Sequence, residues 1–181
     1  MTQHALSTIP LTEASSNDDF IEHSYDRVQE MLKAGMPWRE ILTRLARVGE
    51  DLASLDSSVS ILILENGLLR NGASPNLPED YLQAIDRLKP DAKVGTCAAA
   101  AATGMIVMTP DFCADDKWGE LRHLPLALGF VGAWSMPIKS PEGKILGTFG
   151  TYFRDRRSPT PKERRGVEFL AKAAAAVLSH A

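Results

Sequence analysis

Cysteine is scarce in this chain, two residues in 181, so no disulfide framework is expected and a reducing compartment, the cytoplasm, is implied. Charge of one sign is also missing. Twenty Lys and Arg stand against 23 Asp and Glu, a net charge of −3, which leaves no basic field for binding nucleic acid. No run approaches the roughly 18 consecutive apolar residues of a membrane span. The N-terminus lacks a basic stretch followed by an apolar one, so no secretory signal is expected. There is no Walker-type phosphate loop, and the four histidines have no partners at metal-ligand or haem-ligand spacing. What is present is ordinary for a globular domain: 44% apolar and 24% charged residues in a chain of about one-domain length.

Residues 1–17, rich in Ser, Thr and Ala, read as a mobile tail, and residues 18–181 as a single domain. Phe20, Ile21, Tyr25, Val28, Met31 and Leu32 share one face of a helix that ends at Ala34-Gly35. Pro37 opens a second helix with Trp38, Ile41, Leu42 and Leu45 on its apolar stripe. Ser58 to Leu64 reads as a strand covered on both sides, and Glu65-Asn66-Gly67 as a tight hairpin turn. A short helix follows over 79–88. Gly95-Thr96 then opens an alanine-rich helix over Cys97–Thr103 that closes at Gly104. A strand from Met105, a polar loop, a short helix broken by Pro125 and a hairpin at Pro141-Glu142-Gly143 lead to the last helix. In the hairpin, Trp134, Met136 and Ile138 share one strand face. Ile145, Phe149 and Phe153 share another, with Leu146 and Tyr152 opposite them. This order implies an α+β fold, an antiparallel sheet with helices packed on it.

Several short segments occur in one order: Gly95-Thr96-Cys97, Trp134-Ser135-Met136-Pro137-Ile138, Gly143-Lys144-Ile145-Leu146-Gly147-Thr148 and Ser158-Pro159-Thr160. This pattern resembles the GAF domain, a small-molecule sensor module of bacterial signalling proteins, over roughly Asp18 to Leu178. The resemblance implies an antiparallel sheet with terminal helices on one face and a ligand pocket under short helices on the other. It also implies a non-enzymatic sensor acting on a separate partner, a histidine kinase or a transcription regulator. The first and last helices could pair with their counterparts in a homodimer.

The expected pocket lies beside the Cys97–Thr103 helix. Its backbone amides suit a small anion, and the alanines let a ligand approach the backbone or let the helix lie close on the sheet. Thr96, Cys97, Ala98, Ala99, Trp118, His123, Trp134 and Met136 are the candidate ligand-binding residues, with Trp118 as a lid. Free-standing nitrate receptors exist in the resembled family, which makes nitrate the sharpest ligand expectation. No metal site, cofactor or catalytic residue is expected. Two alternatives stay open. One is an enzyme like the GAF-fold reductases of free methionine sulfoxide, using Cys97, although Ala98 replaces the expected glycine and no cysteine follows Trp118. The other is a ligand-free dimerisation or docking module. A basic cluster at Arg154, Arg156, Arg157, Lys162, Arg164 and Arg165 reads as a solvated face or as a docking surface for an acidic partner.

Overall fold

A computed structural model describes residues 14–54 and 56–181, with side chains from Asn17 onward. Five strands form one antiparallel sheet in the order β2-β1-β5-β4-β3. The strands are β1 (Ser58–Glu65), β2 (Leu68–Ala73), β3 (Val107–Thr109), β4 (Gly132–Lys139) and β5 (Ile145–Phe153). The hairpin between β1 and β2 turns on Asn66 (φ 51°) and Gly67 (φ 77°), the left-handed pair that such turns require.

One face of the sheet carries α1 (Ala14–Glu22), α2 (Ser24–Lys33), α3 (Trp38–Ala53) and α7 (Pro161–Leu178). The other carries α4 (Glu79–Ala84), α5 (Cys97–Thr103), α6 (His123–Ala127) and 3₁₀ turns over Phe112–Ala114 and Asp116–Trp118. Residues 1–13 of the expected tail lie outside the described residues, whereas residues 14–17 already belong to α1. The helix expected from Asp18 to Gly35 is divided at His23. Its backbone departs from helical angles there (φ −104°, ψ 16°), and its ring nitrogen and backbone N–H both meet the Asp19 carbonyl at 3.0 Å.

The larger core lies under the terminal helices. Val59, Ile61, Trp134, Met136, Phe149 and Phe153 meet the inner stripes of α3 and α7 there. Each such side chain contributes about 1.5–3 kcal/mol by leaving water. A bulge between Ile138 and Lys139 sets Lys139 against Ile145 and leaves Leu146 as the extra residue. Leu146 therefore joins Phe149 under the helices, and Ile145 packs on the opposite side. That reverses the expected faces of this pair.

The start of α7 is fastened to the end of α3. Thr160 and Glu163 form a reciprocal capping box with Pro161 at the first turn. Arg157 donates to both Glu163 oxygens at 2.8 Å and to the Ala53 carbonyl at 3.1 Å. Its guanidinium also lies 3.7 Å from the Phe153 ring centre. Most of the expected basic docking cluster is likewise used within the chain. Arg154 donates to Leu128 O, Arg156 pairs with Asp111, and Lys162 pairs with Asp18.

Candidate functional site

The side of the sheet away from the terminal helices is built around α5. Ala98, Ala99, Ala100 and Ala101 are all buried, so the helix backbone lies close on β4 and β5. Gly95 (φ 54°) makes the turn into it and Gly104 (φ 66°) ends it in the left-handed conformation. Gly150 provides clearance below, because a β-carbon there would stand 2.8 Å from Cys97 Sγ. Thr96 stands at the N-cap, but its hydroxyl makes no cap hydrogen bond. It accepts from Ser135 Oγ of β4 at 2.9 Å, and Cys97 Sγ lies 3.1 Å from the same Ser135 oxygen. Thr148 also faces the thiol, although no well-formed hydrogen bond reaches its own hydroxyl.

Across from α5, Tyr81 of α4 donates its hydroxyl proton to Tyr152 Oη of β5 at 2.8 Å, with the rings edge to face. Trp118 closes the side, 4% exposed and tilted against Phe112 with ring centres 4.3 Å apart. Its turn is tied down. Gly95 N–H donates to Lys117 O at 2.8 Å, and Asp115 accepts from the Lys117 backbone and ammonium. The buried Trp118 indole N–H has no hydrogen-bond partner among the described residues. A narrow seam of about 20 Å³ remains between Trp118, Leu121, Tyr81, Tyr152 and the start of α5. That is room for about one water molecule, far below the roughly 300–1,000 Å³ of ordinary ligand pockets.

Ionised forms are disfavoured around the seam. Burial pushes the Cys97 thiol up, against the opposing influence of the Ser135, Thr148 and Thr96 hydroxyls. Burial also raises Tyr81 and Tyr152. At neutral pH all three therefore carry their protons. A buried, protonated thiol is a poor nucleophile. Cys113, the second cysteine, is exposed on the 3₁₀ turn beyond Asp111.

Of the eight expected residues, Thr96, Cys97, Ala98 and Trp118 line the seam. Ala99 is buried in α5 without lining it, and His123 is exposed at the start of α6. Trp134 and Met136 are misplaced by the expectation. They share a strand face, but it is the face under α7, and the intervening Ser135 points to α5. Tyr81, Tyr152, Ser135 and Leu121 were not singled out. The alternation of β4 and β5 carried a signal for two of them, because Ser135 falls opposite Trp134 and Tyr152 opposite Phe153. Larger hollows lie elsewhere. The groove of about 600 Å³ between α7 and the β4–β5 hairpin, with Met136 and Ala175 on its walls, is open and apolar. It lacks the enclosed, unpaired polar group that distinguishes the seam.

The chain matches the GAF domain family over residues 35–179. It is 30% identical over 158 residues to the "Methyl sulfide methyltransferase-associated sensor" of Methanosarcina acetivorans. That match covers 87% of this chain and 16% of the relative, so the chain spans about a sixth of that protein. A domain assigned to a two-component sensor histidine kinase of Sinorhizobium meliloti superposes with a TM-score of 0.61 at 18% identity, covering 78% of this chain and 88% of that one. The free methionine-R-sulfoxide reductase of Neisseria meningitidis superposes with a TM-score of 0.67 at 16% identity, covering 98% and 96%. At these identities the two solved structures establish a shared fold and not a shared activity.

Proposed function

We propose, for a chain that belongs to the GAF domain family, a sensor whose ligand enters the seam between α5, α4, β5 and Trp118. The observation that carries this reading is the unpartnered indole N–H of Trp118, a side chain that borders the seam. A buried donor without an acceptor costs about 1–3 kcal/mol, and a ligand acceptor relieves that cost. At about 20 Å³ the resting seam is too small for most guests, so occupancy has to move Trp118 or Leu121.

Such movement has a short path to the opposite face. Tyr152 borders the seam, and Phe153, the next residue of β5, lies beneath the Arg157 guanidinium that joins α3 to α7. Ligand binding then favours one arrangement of the terminal helices, and a separate partner, a histidine kinase or a transcription regulator, reads the difference. The sensor named among the relatives supports this role. The buried, protonated state of Cys97 supports a non-enzymatic reading over a reductase. A small-anion form of the proposal, nitrate above all, draws on the surplus of donors but finds no cationic side chain in the lining.

Thermal melts across a panel of nitrate, nitrite, chloride and small neutral molecules test the proposal. A receptor gives stabilisation that rises with ligand concentration, whereas a flat response across the panel favours a docking module. Turnover of free methionine sulfoxide, lost in Cys97→Ser, would overturn the non-enzymatic reading.

A further inference from the structure

The seam has donors to spare and lacks charge. The Trp118 indole can only donate, and it has no acceptor among the described residues. Two phenols joined by one hydrogen bond use one proton between them, so the Tyr81–Tyr152 pair leaves a hydroxyl proton over. The Cys97 thiol, Ser135 and Thr96 close on one another instead: the thiol donates to Ser135, Ser135 donates to Thr96, and the Thr96 hydroxyl faces the Cys97 sulfur. No acceptor for the leftover phenol proton is found among the described residues. Both surplus protons belong to residues bordering the seam. The rest of the lining is aliphatic, as at Leu62, Ile85 and Leu121, and no Lys, Arg, His, Asp or Glu contributes.

This combination separates ligand classes. An anion would satisfy the donors, but a charge without a counter-ion against this mostly buried, uncharged lining costs several kcal/mol. The seam's own ionisable groups meet the same penalty, since burial raises Cys97, Tyr81 and Tyr152. A hydrocarbon would suit the aliphatic wall but leave the indole N–H unpaired. Resting on the ligand site proposed above, the geometry points to an uncharged molecule of a few heavy atoms that carries one strong hydrogen-bond acceptor, such as an amide, ketone or sulfoxide oxygen, received by Trp118 Nε1. Binding displaces any single water in the seam and shifts Leu121 outward to make room.

The indole proton provides the readout. The chain has three tryptophans, so three indole N–H signals are expected by nuclear magnetic resonance. They are assigned by Trp38→Phe and Trp134→Phe, which identify Trp118 by elimination even where Trp118→Phe fails to fold. The Trp134 indole, also buried without a partner but on the other face, is the internal control. The full chain is titrated with dimethyl sulfoxide and acetone, with nitrate, and with dimethyl sulfide, which has the methyl groups but no strong acceptor. The expected result is a saturable shift of the Trp118 signal with the two neutral acceptors, at an affinity about ten-fold tighter than for nitrate or dimethyl sulfide. Trp134 stays still. Saturation by nitrate at equal or lower concentration overturns the uncharged class while keeping the site, and equal binding of dimethyl sulfide overturns the need for an acceptor. If no probe gives a saturable shift of Trp118, the seam holds a water and nothing more, and the site itself is withdrawn.

Discussion

Gly150 and Cys97 fit together because one of them has no side chain: a β-carbon on Gly150 would stand 2.8 Å from the Cys97 sulfur and 3.3 Å from Ser135 Oγ. That clearance lets α5 seat its first turn on β4 and β5. Gly150→Ala is therefore expected to lower stability by about 1–3 kcal/mol in urea melts, the range for overpacking a filled core. Cys97→Ala removes the atom in the way, so the double variant should be more stable than the sum of the single effects predicts. Additive losses would mean that α5 is not seated on this contact.

Arg157 is expected to be the most sensitive side chain joining the terminal helices. Arg157→Ala leaves the buried Glu163 carboxylate without its bidentate partner and costs about 3 kcal/mol. The pH dependence follows from Glu163. Burial works to raise its carboxyl, but Arg157, the Thr160 backbone and the Thr160 hydroxyl together hold it below the ordinary 4.5. A lowered folded-state value gives stability that is present above about pH 4.5 and lost as pH falls through the folded value. Equilibrium melts from pH 6 down to pH 3 should show a steeper acid loss in the wild type than in Arg157→Ala.

Glu50 should act in the opposite direction. It is buried between α3, the first strand and the loop before α4, accepting from Val59 N–H at 3.0 Å and from the Asn76 amide. Burial raises its carboxyl above 4.5, with Asp51 adding to the rise and Val59, Asn76 and Arg47 opposing it. A raised folded-state value gives stability that is complete below about pH 4.5 and lost as pH rises through the folded value. Glu50→Gln removes this term. Its stability relative to wild type should improve between pH 4.5 and pH 7, measured by the same melts. A constant difference across that window would contradict the assignment.

Much of this architecture was legible in the residues. The apolar stripe of α3, the Asn66-Gly67 turn and the Gly104 helix end each obey a local rule, so they could be read without tertiary information. The failures share a physical cause. Period two groups Trp134 with Met136 and Ile138 but does not say which face of the sheet the group covers. That depended on the longer helices α3 and α7 lying over Phe149 and Phe153. The Ile145 and Leu146 faces were reversed by a bulge that no single residue announces. Thr96 sits where a capping residue belongs, and its use by Ser135 instead depends on how α5 meets the sheet. The seam is the least legible feature of all, since it is a gap between four elements rather than a motif in one.

The most direct measurement is ligand-dependent stabilisation in two variants that mark opposite faces of the sheet. Trp118→Phe removes the indole donor from the seam, and Met136→Leu alters the groove wall under α7 with little change in volume. With dimethyl sulfoxide as the probe, the rise in melting temperature with concentration should weaken in Trp118→Phe and persist in Met136→Leu. Persistence in Trp118→Phe together with loss in Met136→Leu would place the ligand among the terminal helices and contradict the seam as the sensing site.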